Sequence, residues 1–175
     1  LVSPPAGYRF SGPTAGAAYA QIQGCDIRRV FLLGPTHKLP LEGAAVYDVD
    51  AFVTPLGDLP LDTGVLARLG AKPGFTTVAD DRGEHSLEMQ LPILQEALGG
   101  FVLVPILVGQ LDATQAEAIA DALRPELVPG DLVVVSSDFT HYGPNFAYRP
   151  FTEDVPAQLH ALDHGAWAHV ETPDP

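Results

Sequence analysis

Apolar runs alternate along this chain with segments of helical periodicity. The runs that predict β-strands are rich in Val, Ile, Leu and Phe and cover residues 29–33, 101–108 and 132–135, with residues 1–2 as the end of a fourth strand. Residues 46–53 alternate imperfectly and predict a strand near an edge, and Pro105 indicates an edge or a bulge in the second run. The helical patterns fall between these runs, at residues 14–21, 61–69, 84–98, 112–123 and 155–170.

Strands that alternate with helices are typical of βαβ units, so the pattern predicts an α/β fold with a mainly parallel central sheet. The strand runs are apolar without polar alternation, which indicates that both faces of the sheet are covered. The chain has 175 residues, enough for one domain with a sizeable core. It opens on Leu1 without a methionine, and we expect further residues upstream in the natural protein.

Charge and composition narrow the choice of partners. Twenty-two acidic residues against nine basic ones give a net charge of −13, and such a surface repels phosphate backbones, so no nucleic acid is expected. No apolar run approaches the roughly 20 residues of a membrane helix and no signal peptide is visible, so no membrane partner is expected. Cys25 is the only cysteine, which excludes an internal disulfide and fits a reducing cytoplasm.

Three polar clusters follow apolar runs or open a helical segment, and they contain the candidate chemistry. They cover residues 34–37, 84–89 and 136–143. In an open α/β sheet the side chains just past the carboxyl ends of the strands converge on one crevice, so the clusters predict a shared pocket. The candidate catalytic residues in them are His37, His85, Glu88, Asp138 and His141.

Local sequence leaves the role of each histidine open. His37 follows a strand and a Gly-Pro turn, a position that suits a crevice and a solvent-facing loop equally well. His85 and Glu88 are three residues apart in the predicted helix 84–98, so they share a face. Such a pair binds a metal ion or acts as an oriented acid–base pair, but an ordinary polar helix start has the same sequence.

The third cluster does not form a ready serine-hydrolase triad. The chain has no Gly-x-Ser-x-Gly elbow, and adjacent residues of an extended segment point to opposite sides, which separates Ser137, Asp138 and His141. Gly-rich loops for nucleotide phosphates are also missing from the sequence, so no nucleotide cofactor is expected. His160 and His164 lie four residues apart in the last helical segment, where solvation is better supported than metal binding.

Five stretches together carry a family resemblance, and they cover the chain from one end to the other. They read Ser-Pro-Pro-Ala-Gly-Tyr at 3–8, Leu-Gly-Pro-Thr-His at 33–37, Glu-His-Ser-Leu-Glu-Met at 84–89, Pro-Ile-Leu-Val-Gly at 105–109 and Ser-Ser-Asp-Phe-Thr-His-Tyr-Gly at 136–143. In this order and spacing they resemble the Memo-like family, called AmmeMemoRadiSam system protein B in bacteria. That family is similar in fold to the class III extradiol ring-cleaving dioxygenases, whose iron is held by two histidines and a glutamate.

The resemblance implies a three-layer α/β/α sandwich with a mainly parallel central sheet and a crevice lined by these motifs. It implies that residues 1–175 form a single Memo-like domain that lacks N-terminal and C-terminal parts of the full family domain. Part of the core would then be exposed. The oligomeric state does not follow from the resemblance.

The resemblance also implies where a metal would sit. Some members bind iron or copper through a histidine in Pro-His-Ala-Gly-Tyr, a histidine in Gly-Pro-Ser-His and a cysteine in a C-terminal stretch. Here His37 matches the second ligand, Pro5 replaces the first, and the third falls beyond Pro175. One imidazole does not make a site of useful affinity, so we expect no tight transition-metal binding by this chain unless His85 and His141 compensate. Iron or copper stays a candidate cofactor of the full-length protein.

Three hypotheses about function follow from these observations. The first is a Memo-like protein with a metal-linked redox activity on an unknown substrate in a crevice lined by histidine, aspartate and glutamate. The second is a non-catalytic protein that binds a small ligand or a peptide, or acts as a scaffold, with a degenerate dioxygenase-like site. The third is a working ring-cleaving dioxygenase, which Pro5 makes the least supported.

Overall fold

Eight strands and five α-helices make up the part of the chain that the computed structural model describes, residues 1–81 and 83–171. The strands are β1 (Val2–Ser3), β2 (Arg29–Pro35), β3 (Ala44–Tyr47), β4 (Ala51–Thr54), β5 (Gly57–Pro60), β6 (Phe75–Val78), β7 (Val102–Val108) and β8 (Asp131–Ser136). The helices are α1 (Tyr8–Ala20), α2 (Thr63–Gly70), α3 (Leu91–Leu98), α4 (Ala113–Leu123) and α5 (Val155–Glu171). Short 3-10 turns form at Glu88–Gln90, Arg124–Glu126 and Pro144–Phe146.

Six of these strands form one sheet in the order β1-β8-β2-β7-β3-β6. All neighbouring pairs in it are parallel except β3 and β7, which run antiparallel with Val46 opposite Ile106. The consecutive residues 30–32 of β2 are buried, so both faces of the sheet are covered at this strand. The predicted cover on both faces does not extend to β8, where Val133 and Val135 are exposed. The mixed α/β architecture, with a mainly parallel central sheet flanked by helices in an α/β/α sandwich, is the predicted one.

The caps of two helices follow the sequence signals. The Asp62 carboxylate accepts a hydrogen bond from the backbone N–H of Val65 at the start of α2. Asp112 and Gln115 form a reciprocal capping box at the start of α4. These short polar side chains satisfy amides that the first turn of a helix leaves without partners, which is why the chain enters both helices where the sequence predicted.

Pro105 lies neither at a sheet edge nor in a bulge, contrary to the prediction. It is buried in β7, between β2 and β3, and stands in regular register with Leu32. The antiparallel ladder with β3 covers only Ile106–Val108, so Pro105 precedes the part of β7 that is paired on both sides. The missing N–H is therefore tolerated in an interior strand.

The prediction of one strand over residues 46–53 is wrong. The chain leaves the central sheet after Tyr47, and Ala51–Thr54 pairs with Gly57–Pro60 in a separate antiparallel hairpin. Gly57 has a φ of 115°, a conformation that side-chain-bearing residues rarely adopt, and this closes the turn between β4 and β5. The polar residues Asp48 and Asp50 interrupt the apolar run at the point where the chain changes sheets.

Two helices begin at other residues than predicted. Helix α1 starts at Tyr8 rather than near Thr14, because amides of the first turn already bond to the carbonyl oxygen of Gly7. Helix α3 starts at Leu91, and Pro92 lies in its first turn, where the lost N–H has no helical partner anyway. Residues 84–87 are therefore not helical, and the prediction that His85 and Glu88 share a helix face is wrong.

The chain divides into two compact units, one of residues 1–137 and one that begins at Asp138. The first contains the central sheet and α1 to α4, and the second contains α5. The single-domain prediction for residues 1–175 stays a prediction. Among residues 1–81 and 83–171, no helix combines the length and the apolar character needed to cross a bilayer.

Candidate functional site

A buried carboxylate, Glu84, organises the loop that follows β2. Its Oε2 atom accepts hydrogen bonds from the backbone N–H groups of His37 and, at 3.1 Å, Lys38. Its Oε1 atom lies 2.8 Å from the ring nitrogen Nδ1 of His37 and accepts a hydrogen bond of 3.0 Å from the backbone N–H of His85. One side chain therefore holds two segments that are 47 residues apart in sequence.

Gly34 allows the two segments to approach this closely. Gly34 is the penultimate residue of β2. A Cβ atom added there would lie 2.7 Å from Leu87 Cδ2 and 2.8 Å from Ser86 Oγ. Both distances are too short for a real contact, so a side chain at this position would force the buried side chains of Leu87 and Ser86 to shift. The Gly-Pro pair ends β2 and is not the turn that the sequence predicts, and Gly34 lets the loop bearing His37 lie directly against the segment bearing Glu84.

The hydrogen bonds also determine the charge of Glu84. Burial raises the pKa of its carboxyl group, but the bonds from the backbone and ring of His37 and from the amides of Lys38 and His85 lower that pKa to about 2. The carboxylate is consequently ionised at neutral pH although its side chain is 1 % exposed. Because an ionised carboxylate only accepts hydrogen bonds, His37 donates from Nδ1 to Glu84, which leaves Nε2 as the ring nitrogen facing away from the carboxylate.

His85 completes a cluster of three potential metal ligands, which we call the His37 cluster: His37, Glu84 and His85. The two imidazole rings stack with their centroids 5.0 Å apart and their planes inclined by 22°. One donor atom from each of the three residues lies within 4.8 Å of the others. Two imidazoles with one nearby carboxylate are a donor set typical of first-row transition metals.

The three-ligand set implied by the family resemblance is not complete in this chain. Pro5 has no donor atom in its side chain, so it contributes nothing to a metal. The His37 cluster offers nitrogen donors of the right chemical type from a different segment, since His85 lies beside His37. The residues present therefore fit iron or copper, through a different set of donors from the one implied by the resemblance.

A cavity of about 340 Å³ adjoins Glu84 in the first unit. Its walls include Tyr47 and Phe52, whose rings meet edge to face with centroids 4.8 Å apart. The Tyr47 hydroxyl donates a hydrogen bond of 3.0 Å to Asp81 Oδ2. Burial, together with the negative charges of Asp81 and Glu84, raises the pKa of Tyr47, so this hydroxyl keeps its proton.

The other predicted site residues lie outside the His37 cluster. Glu88 is exposed in the 3-10 turn Glu88–Gln90 and lines the cavity. Asp138 and His141 belong to the second unit, where Asp138 Oδ2 lies 3.6 Å from His141 Nε2. The His141 ring also contacts Phe146, with centroids 4.9 Å apart. A single crevice shared by all five candidate residues stays a prediction.

Glu84 is the residue that the sequence argument missed. It stands in the second polar cluster, but its local sequence does not show which backbone amides its carboxylate contacts. Its role depends on amides at positions 37 and 38, which only the folded chain brings near. The one signal in the sequence that could have identified Glu84 is its position directly before His85, a candidate site residue in the same polar cluster.

Comparison with known proteins identifies the family. A family model described as Memo-like protein matches residues 1–174. This chain belongs to the Memo-like family. As a Memo-like protein it has the dioxygenase-like α/β fold that the resemblance implied.

Among similar proteins, the protein memo-1 homolog of Caenorhabditis elegans is 35 % identical over 184 residues, covering all of this chain and 53 % of that protein. Protein MEMO1 of Rattus norvegicus and protein MEMO1 of Danio rerio are each 34 % identical over 185 residues, covering all of this chain and 62 % of those proteins. The Memo-like chain thus spans between about half and three-fifths of the length of these relatives.

Proposed function

We propose that this Memo-like chain is a metal-linked redox enzyme that acts on a small molecule, with the His37 cluster as its centre. One observation carries the proposal: a buried, ionised carboxylate holds the ring of His37 beside a second imidazole. Buried carboxylates of this kind orient ligand histidines and raise their basicity.

Each residue of the site has a distinct task in this proposal. Glu84 fixes the orientation and the tautomer of His37, so that Nε2 points away from the carboxylate. Iron or copper bound at the His37 cluster would supply one-electron chemistry. The cavity beside Glu84 would hold the small molecule, with Tyr47 and Phe52 as apolar and aromatic walls.

Proton transfer is assigned to residues outside the His37 cluster. Glu88 lines the cavity with an exposed carboxylate, which makes it a candidate acid or base for a bound molecule. We keep His141, with Asp138 near its ring, as a further candidate on the strength of their shared sequence motif. The single cysteine fits a reducing compartment, and we place the reaction in the cytoplasm.

The proposal is tested with copper as the metal probe, in a background where His160 and His164 are both alanine. This background is needed because their stacked rings, 5.8 Å apart on α5, offer a second pair of imidazoles. The protein is loaded with Cu²⁺ and desalted, and its copper content is compared with its oxygen consumption in the presence of ascorbate. We expect retained copper and ascorbate-dependent oxygen consumption, and we expect the added His37→Ala substitution to remove both.

Failure to retain copper, or retention with turnover that His37→Ala leaves intact, contradicts the proposal. The second candidate function, a non-catalytic binding protein for a small ligand or peptide, would then be preferred. Its supporting observation is Pro5, which contributes no donor to the site. Copper retained without oxygen consumption would also favour this second function.

A further inference from the structure

We infer that His85 is the second imidazole ligand of a transition metal whose first ligand is His37, and that Glu84 positions His37 without binding the metal. The inference rests on the proposed function for the presence of a metal and adds its ligand set. It assigns to the Glu84-His85 segment the contribution that Pro5 does not make.

The hydrogen bonds of Glu84 argue that it is a positioning residue. An ionised carboxylate offers about four acceptor sites on its two oxygens. In the described part of the chain these oxygens accept from three backbone N–H groups, those of His37, Lys38 and His85, and from the ring of His37. Direct metal binding by Glu84 would require at least one of these bonds to break.

His85 has the opposite properties. Its backbone N–H donates a hydrogen bond to Glu84. The residue itself is exposed, so solvent can reach its ring. Within residues 1–81 and 83–171, no hydrogen bond is seen from its ring nitrogens, and the ring stacks on His37. Because one donor atom of each residue lies within 4.8 Å of the others, the two accessible imidazoles are close enough to share one cation.

The charge of the His37 cluster favours a cation. The donors to the buried Glu84 carboxylate are amides and an imidazole, and the ammonium group of Lys38 bonds instead to the carbonyl oxygen of Gly83 at 2.8 Å. Buried charges are normally paired or placed next to a metal. A divalent ion between His37 and His85 would supply that positive charge a short distance from the carboxylate.

Imidazole donors select the class of metal. Nitrogen ligands of this kind suit Cu²⁺, Zn²⁺, Ni²⁺ and iron, whereas Mg²⁺ and Ca²⁺ require oxygen ligands. By the general order of stability for divalent ions, Cu²⁺ binds most tightly. Cu²⁺ is also paramagnetic, so it reports directly how many imidazoles coordinate it.

The closing experiment uses Cu²⁺ and the His160→Ala/His164→Ala background. Affinity is measured by competition with a chelator, and pulsed EPR counts the imidazole nitrogens in the coordination plane. We expect two imidazoles in the background protein and one after His85→Ala, with an affinity loss of at least about tenfold. Glu84→Gln should lower affinity by about 10- to 100-fold but keep the two-imidazole signal. Glu117→Gln, an exposed change on α4, is the matched control and should alter neither reading.

The outcomes separate the two claims. No copper binding in the background protein, or binding that survives His37→Ala, refutes the proposed function together with this inference. Binding that depends on His37 but is unchanged by His85→Ala refutes only the ligand assignment. Loss of one imidazole signal, or unchanged affinity, in a folded Glu84→Gln protein refutes the positioning role, and circular dichroism establishes that this variant is folded.

Discussion

Gln90 donates a hydrogen bond of 2.9 Å from its side-chain nitrogen to the hydroxyl of Ser136, and both residues are almost fully buried. The side-chain oxygen of Gln90 accepts a bond of 2.7 Å from the hydroxyl of Tyr19, and Ser136 donates to the carbonyl oxygen of Ser86. This network joins α1, the end of β8 and the segment next to His85. The polar groups of the core thus hold the segment that carries the candidate site.

Gln90→Met should destabilise the protein strongly. The change keeps the side chain's length but leaves the Tyr19 hydroxyl without its buried acceptor and removes the bond that Ser136 accepts, while Ser136 keeps its bond to Ser86. A buried polar group that loses its partner costs about 1–3 kcal/mol. We expect the free energy of unfolding in urea to fall by about 3 kcal/mol. The control is Gln21→Met at the exposed end of α1, which should change little. Equal effects of the two substitutions would show that the buried network is not stabilising.

Gly34→Ala should disturb the site and the stability together. The added methyl group would meet side-chain atoms of Leu87 and Ser86 at less than 3 Å, so these buried side chains, which follow His85, must shift. We expect a loss of about 1–3 kcal/mol in the free energy of unfolding. Gly16→Ala is the matched change, since Gly16 is exposed in α1 with no atom near the new methyl group, and it should stabilise by up to about 1 kcal/mol. An unchanged free energy of unfolding in the Gly34→Ala protein would contradict the close contact at this position.

Glu84 predicts a specific dependence of stability on pH. Its pKa in the folded protein is about 2, below the ordinary value of 4.5, so its ionisation stabilises the fold above pH 4.5 and this stabilisation is lost as the pH falls toward 2. The stability difference between the natural chain and Glu84→Gln should therefore shrink between pH 6 and pH 2, by an amount of the order of 3 kcal/mol. Denaturant titrations at several pH values measure this difference, and Glu117→Gln serves as the control. A constant difference across this range would mean that the charge of Glu84 does not stabilise the fold.

Replacing Arg29 by lysine should destabilise the protein, whereas the same change at the neighbouring Arg28 should not. Its guanidinium group binds both oxygens of Asp131, at 3.1 and 2.6 Å, and also reaches Asp62 at 3.1 Å. Lysine cannot make this forked contact, so Arg29→Lys should lower the free energy of unfolding by about 1–2 kcal/mol. Arg28→Lys changes an exposed pair with Asp26 and should have little effect. Thermal unfolding of both variants decides the matter, and a similar shift for both would be evidence against the forked contact.

The sequence predicted those elements that depend on local pattern. The three principal strands are unbroken apolar runs, as predicted, although only β2 and β7 are buried along most of their length and β8 exposes Val133 and Val135. Asp62 and Asp112 mark the starts of their helices through hydrogen bonds within one turn. The reversed direction of β3 was not predictable, because the ladder of β3 with β7 is set by packing between distant segments and not by periodicity.

The candidate site shows the same division. His37 and His85 were found because they stand in unusual polar clusters, and the structure places their rings in contact. Sequence spacing pairs His85 with Glu88, because it predicts a helix that begins at residue 84. The carboxylate that contacts the histidines is that of Glu84. Its hydrogen-bond donors include backbone amides far away in sequence, and no rule of residue spacing predicts such contacts.

The position of Glu84 has a thermodynamic consequence for two neighbouring sites. This one anion contacts the His37 ring and also lines the cavity beside Tyr47, so a charge introduced at either place changes the electrostatic potential at the other. A positively charged ligand in the cavity would weaken cation binding by the histidines. By thermodynamic linkage, a bound cation would weaken binding of that ligand by the same factor. An uncharged ligand would leave the cation's affinity almost unchanged. The binding affinities of the two sites would therefore be coupled only for charged ligands.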